Sequence, residues 1–200
     1  GKARAFHGED LKVSVLENQT YASSQRLLST CRGFGGERPL ADVAARSRFV
    51  GAARQVLGFP DARQSPVEFG FASLRSVAQQ RFTKWSLVYD SQNEKIYFFT
   101  LDNAQRKTID LTQLNFAPDS PVLMLDVNVD IKGDATAHFE KYSREKNTEM
   151  LRKNVSKTRF EIPEFLIRLV AAYPETTRPA KPGSKTIKRT SKATVEKRAP

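Results

Sequence analysis

Apolar and polar residues change period several times along the chain, and each change marks a candidate element. Lys12 to Leu16 alternates polar and apolar positions, which predicts a short strand ending near Asn18. From Tyr21 the period lengthens: Tyr21, Leu27, Leu28 and Cys31 fall close to one helical face, and Gly33, Gly35, Gly36 and Pro39 stop that helix in a turn-rich loop. A second helix is predicted after Pro39, with Asp42 as its cap, running through Ala52, Ala53 and Val56 to Gly58. Another begins at Ser65-Pro66 and carries Val67, Phe71, Leu74, Val77 and Ala78 at helical spacing.

The period then drops to two. Trp85 to Tyr89 and Ile96 to Thr100 alternate on either side of the turn SQNE, the pattern of an antiparallel hairpin, and Lys107 to Leu111 adds a third strand after Asp102-Asn103. Alternation sends about half of Trp85, Tyr89, Tyr97, Phe98 and Phe99 into a packed layer, which favours cross-strand packing over a base-stacking surface beside Lys84 and Lys95. Val122 to Val129 is apolar with Asp126 and Asn128 interposed, and reads either as a strand or as a buried connector. Residues 136–153 are charged but helix-forming. Pro163 opens a short amphipathic helix with Phe165, Leu166, Leu169 and Val170, expected to pack back on the domain. Helices and strands in this order indicate an α+β fold without internal repeats.

Composition narrows the function classes. With 39% hydrophobic and 28% charged residues, the 200-residue chain suits a globular domain with one substantial core, and no apolar run approaches the roughly 20 residues of a bilayer span. The formal charge of +11 suggests an anionic partner until its distribution is considered. Between Pro174 and Pro200 stand eight Lys or Arg and two acidic residues, so +6 of the +11 belongs to a segment rich in Pro, Ser and Thr. Only Ile187 and Val195 are sizeable aliphatics there, too few to bury a core. The division expected is therefore a domain over 1–173 and a basic disordered tail over 174–200. The tail reads as a solvated extension, with non-specific contact to a polyanion or a membrane surface as its alternative. Nucleic acid is a poor partner for the rest, because its cations are interspersed with acids.

Cys31 is the only cysteine, which excludes an internal disulfide and a multi-cysteine metal site, and His7 and His138 are too far apart for a spaced metal motif. No metal or cofactor is expected. GFGGERP lacks the Lys-Ser/Thr of a phosphate loop and the strand-turn-helix setting of a dinucleotide fingerprint. The triplets Asn18-Gln19-Thr20 and Asn154-Val155-Ser156 fit a glycosylation acceptor, a pattern frequent by chance.

Two polar positions remain. Asn18 follows the predicted strand and precedes a helix, where its amide either caps backbone groups or meets a ligand. Arg48 precedes the apolar Phe49-Val50, which puts its guanidinium at the edge of a packed helix, while Arg46 and Arg54 read as solvated charges.

Around these positions the chain resembles the linear amide C–N hydrolases of the choloylglycine hydrolase family, which includes bile salt hydrolases and penicillin V acylases. VLENQTYASSQRLL resembles the stretch in which a strand ends in Asn followed by a small residue, Pro, Thr and an aromatic; Asn18, Thr20 and Tyr21 match, and Gln19 replaces the two-residue link. SRFVGAA resembles the family's Ser-Arg-Phe-Val-Arg-Ala-Ala helix start, with Gly51 in place of the second Arg. SLRSVAQQ, TKWSLVYDSQNEKIYFFTLDN and RKTIDL follow in the family's order, so the resemblance covers roughly residues 10–130. The interval from Asn18 to Arg48 is short for the family, which implies a trimmed loop near the pocket.

The resemblance implies a four-layer αββα N-terminal-nucleophile hydrolase, in which a Cys at the mature N-terminus attacks an amide carbonyl and its α-amino group carries the proton. Asn18 would donate an N–H to the oxyanion, and Arg48 would sit near the nucleophile, steady nearby carboxylate and backbone groups, and favour the thiolate. Residue 1 is Gly and Cys31 follows Asn18, so the nucleophile is expected in a missing N-terminal portion or a partner chain. The substrate implied is a small N-acyl amide; homo-oligomerisation is the other association expected. A periplasmic or cytoplasmic location fits this bacterial-type family. The alternative function is a catalytically inactive remnant or a basic module contacting a polyanion.

Overall fold

The computed structural model describes residues 5–59, 65–117 and 119–176. It is a mixed α+β structure. The described residues divide into two compact units, one within Gly1–Leu114 and Leu125–Phe139, the other within Asn115–Met124 and Glu140–Pro200. The segment read as a basic tail lies outside the described residues from 177 onward, and the last helix runs past Pro174 to Thr176.

In the first unit the predicted strand over 12–16 does not form. The segment is irregular, and the Tyr21 hydroxyl takes the place of a neighbouring strand, donating to the Val13 carbonyl at 3.1 Å and accepting from the Val13 N–H at 3.3 Å. Helix α1, Tyr21–Leu28, is capped by Thr20, whose Oγ1 accepts from the Ser23 N–H. It ends before Cys31, which is fully buried in the following turn and bridges to Arg38. Gly33 and Gly35 hold φ of +89° and +105° in that turn, the left-handed region in which a glycine is at ease.

The predicted second helix is two helices. Helix α2, Leu40–Ala44, starts from Pro39, and Asp42 lies in its first turn rather than capping it. The chain then breaks so that Ser47 caps helix α3, Arg48–Leu57, by accepting from the Val50 N–H at 3.3 Å. Phe49, Val50 and Ala53 on α3 join Val13, Tyr21, Leu28, Cys31 and Val43 in the core of this unit. Helix α4, Pro66–Val77, opens with proline at its first position, where no N–H is required, and buries Phe71.

The period-two region folds as expected. Strands β1, Trp85–Asp90, and β2, Lys95–Thr100, are antiparallel about residues 91–94; β3, Lys107–Asp110, pairs antiparallel with β2, and β5, Gly133–Asp134, pairs parallel with β3. Register puts Ser86, Val88, Tyr97, Phe99 and Thr108 on one face. Helix α4 covers that face: Phe71 meets Phe99 at 5.3 Å between ring centroids, and Arg106 stacks 4.8 Å over the Phe71 ring. Arg106 also pairs with Glu68 of α4, and its hydrogen bond holds that carboxyl below the usual carboxylate range. The opposite face carries Trp85, Leu87, Tyr89, Ile96, Phe98, Thr100, Lys107 and Ile109. Phe98, Thr100, Lys107 and Ile109 are buried there, whereas Trp85, Leu87 and Tyr89 on β1 are 68%, 48% and 56% exposed. β1 is also the edge of the sheet.

Val122 to Val129 is not a continuous strand and passes from the second unit to the first after Met124. Only β4, Leu123–Met124, pairs, with β6, Glu140–Lys141; Asp126 and Asn128 form a turn in which Asn128 N donates to Asp126 Oδ1. The charged stretch resolves to helix α5, Arg144–Val155, capped by Ser143, and α6 is Glu164–Thr176. Helix α6 packs on α5 and buries Ile167 and Ala171, whereas the stripe of Phe165, Leu166, Leu169 and Val170 is exposed. Ion pairs Arg152–Glu164 and Arg144–Glu175 close the pair of helices at both ends.

Candidate functional site

Asn18 stands on an irregular loop between the Tyr21-clamped segment and the Thr20 cap of α1. Its side chain is exposed and makes no hydrogen bond among the described residues, so the capping role belongs to Thr20. Arg48 is the first residue of α3, oriented by the Ser47 cap and by the burial of Phe49 and Val50 behind it. Its Nη2 donates to Glu17 Oε1 at 3.0 Å, across 31 residues of sequence.

The two sequence-selected residues are thus linked through the residue next to Asn18. Glu17 escaped the sequence reasoning, and the only signal available was its adjacency to Asn18. Arg46 and Arg54 are exposed without ion pairs among the described residues.

Immediately before Glu17 the chain lines an open, mainly apolar cleft of about 440 Å³, formed by Phe6, Leu11, Ser14, Val15, Leu16 and Tyr21. The Phe6 and Tyr21 rings are 4.9 Å apart, and Tyr21 meets Phe49 of α3 edge-on at 6.0 Å, so the cleft floor continues into the core beneath Arg48. A separate cleft of about 460 Å³ lies around Lys12, Gln25, Arg26, Leu28, Ser29, Gly33 and Phe34.

No protein-family model matches the chain, and no curated protein matches it. Its chemistry therefore rests on the residues themselves. Asn18 offers a free amide donor, Arg48 a half-buried cation already partnered by a carboxylate, and the adjoining cleft an apolar surface. None of these groups is a nucleophile. Cys31 is fully buried with Sγ 3.8 Å from the Leu27 carbonyl, so its thiol does not open to the cleft. No group of three or more His, Cys, Asp or Glu among the described residues is arranged to hold a metal ion. No helix among them is long and apolar enough to cross a membrane.

Proposed function

We propose that this chain is the C-terminal part of an N-terminal-nucleophile hydrolase that cleaves linear N-acyl amides. It supplies Asn18 as an oxyanion donor and Arg48 as a supporting cation to a cysteine contributed from outside these 200 residues. The observation that carries this reading is the Arg48–Glu17 ion pair, which ties α3 to the loop bearing the free Asn18 amide at the end of an apolar cleft.

Each part has a chemical use. A side-chain N–H with no protein partner is free to bind the oxygen that gains charge as the carbonyl becomes tetrahedral. A cation whose charge is shared with one carboxylate can favour a neighbouring thiolate while keeping its orientation. The apolar cleft suits the acyl chain, and the amine would leave toward solvent. The αββα arrangement is supported by the sheet: α4 covers one face, and β1 leaves Trp85, Leu87 and Tyr89 open on the other, where a second sheet would stack.

Intact mass and N-terminal sequencing of the protein from its native source, with any associated chain, are expected to find a preceding segment or partner beginning with Cys. In that active assembly Asn18→Ala should lower kcat toward a panel of N-acyl amides by roughly 10²–10³-fold with little change in KM. An assembly without such a cysteine, or kcat unchanged by Asn18→Ala and Arg48→Gln, would favour a catalytically inactive remnant.

A further inference from the structure

We infer that the end of the second unit where α5 turns into α6 docks on an anionic phospholipid surface. Residues 150–160 contain no acidic side chain, and Glu161, exposed and without an ion pair among the described residues, is the single acid between them and Glu164. Arg152 is engaged with Glu164, whereas Lys153, Lys157 and Arg159 are exposed and make no ion pair among the described residues. Beside these cations stand Phe160 and Phe165, 77% and 68% exposed, and Leu169, one helical turn beyond Phe165, is also exposed. Glu164, Arg168 and Glu175 of α6 are all engaged in ion pairs, so the stripe of Phe165, Leu169 and Tyr173 carries no free charge of its own.

Apolar side chains next to unpaired cations are what an anionic bilayer binds: the rings enter the boundary between headgroups and acyl chains, and the cations meet lipid phosphates and carboxylates. Either contribution alone gives weak, reversible attachment, and the two together give a stable one. The sequence beyond α6 is basic as well, since residues 177–200 hold eight Lys or Arg against the single acid Glu196. This charge complementarity favours an anionic lipid surface over a second copy of the chain, which would bring like charge to like charge. The inference is independent of the hydrolase reading and concerns the other compact unit.

The test is sedimentation of the full chain with vesicles of phosphatidylcholine alone and of phosphatidylcholine mixed with phosphatidylserine. Binding is expected only with phosphatidylserine and should fall as salt rises. Replacing Lys153, Lys157 and Arg159 together by Gln should weaken it by on the order of 100-fold, since each cation near the surface contributes about fivefold. The pair Phe160→Ser with Phe165→Ser should weaken it at least about tenfold while leaving the far-UV circular dichroism unchanged. Equal binding to both vesicle types overturns the inference, as does binding that both variants leave intact. It is equally overturned if the phenylalanine variants only convert an oligomer to a monomer, which would assign the surface to a second copy.

Discussion

The guanidinium of Arg48 and the carboxylate of Glu17 meet at 3.0 Å, joining the first turn of α3 to the loop before α1. The side chains keep 38% and 20% of their exposure, so water screens much of the attraction. A double-mutant cycle of Glu17→Gln and Arg48→Gln, read by denaturant unfolding, should give a coupling of about 0.5 kcal/mol. A catalytic contribution of Arg48 would appear as a loss of kcat/KM in the active assembly well beyond that figure, about tenfold or more. A kinetic loss no larger than the coupling would leave Arg48 as a structural tie.

Gly70 allows α4 to lie directly on β1. A Cβ at that position would stand 3.0 Å from Val88 Cγ2 and 3.2 Å from Cγ1, and a β-branched side chain in a strand has no free rotamer into which to retreat. Alanine is otherwise the better helix former by roughly 0.5–1 kcal/mol, so the substitution sets propensity against overpacking. Overpacking should win: Gly70→Ala is expected to destabilise by about 1 kcal/mol, and Gly70→Val by more. Val88→Ala should cost less in the Gly70→Ala background than in the parent chain, measured by chemical denaturation.

The sequence was most legible where a pattern had a partner close by. The β1–β2–β3 meander folds as its alternation predicts, because SQNE brings the first two strands together and Asp102-Asn103 is soon followed by the third. Lys12 to Leu16 carries the same alternation but has no strand beside it, and Tyr21 satisfies the Val13 backbone instead. The division between α2 and α3 was written in Ser47, whose hydroxyl caps α3, but the alanines and apolar residues on either side of it read as one helix. In α6 the conspicuous stripe is exposed, and Ile167 with the small Ala171 is what the helix buries. Asn18 and Arg48 were the candidates the sequence singled out; the Glu17 partner of Arg48 was not, because a contact spanning 31 residues leaves no local trace.

The open edge of β1 governs how the isolated chain behaves. Trp85, Leu87 and Tyr89 present an apolar face beside backbone groups without a neighbouring strand among the described residues, a combination that recruits other chains. Leu87→Lys with Tyr89→Lys should reduce self-association, seen by analytical ultracentrifugation, while leaving the helical signal unchanged. In a complete αββα enzyme the same substitutions would place charge between two stacked sheets and should destabilise it by several kcal/mol. Opposite signs in the two settings would support a missing second sheet, and improvement in both would argue against one.

Acid should loosen the pairing of α5 with α6 through Glu164. Its carboxylate accepts from Arg152 Nε at 3.2 Å and from Arg168 Nε at 3.0 Å, and these hydrogen bonds, Arg152 first, draw its pKa down to about 2. In the unfolded chain a glutamate titrates near about 4.3, so the folded state binds this proton more weakly. The stabilisation is therefore complete above that value and is lost as pH falls through the folded midpoint. A carboxyl-resolved NMR titration should find Glu164 protonating near pH 2, and salt should move the midpoint upward because the carboxylate is open to solvent. Glu164→Gln should remove the part of the acid sensitivity of the α5–α6 contacts that lies at the Arg152 end, leaving that of the Arg144–Glu175 pair. A Glu164 midpoint at the ordinary glutamate value would show that neither arginine holds it in solution.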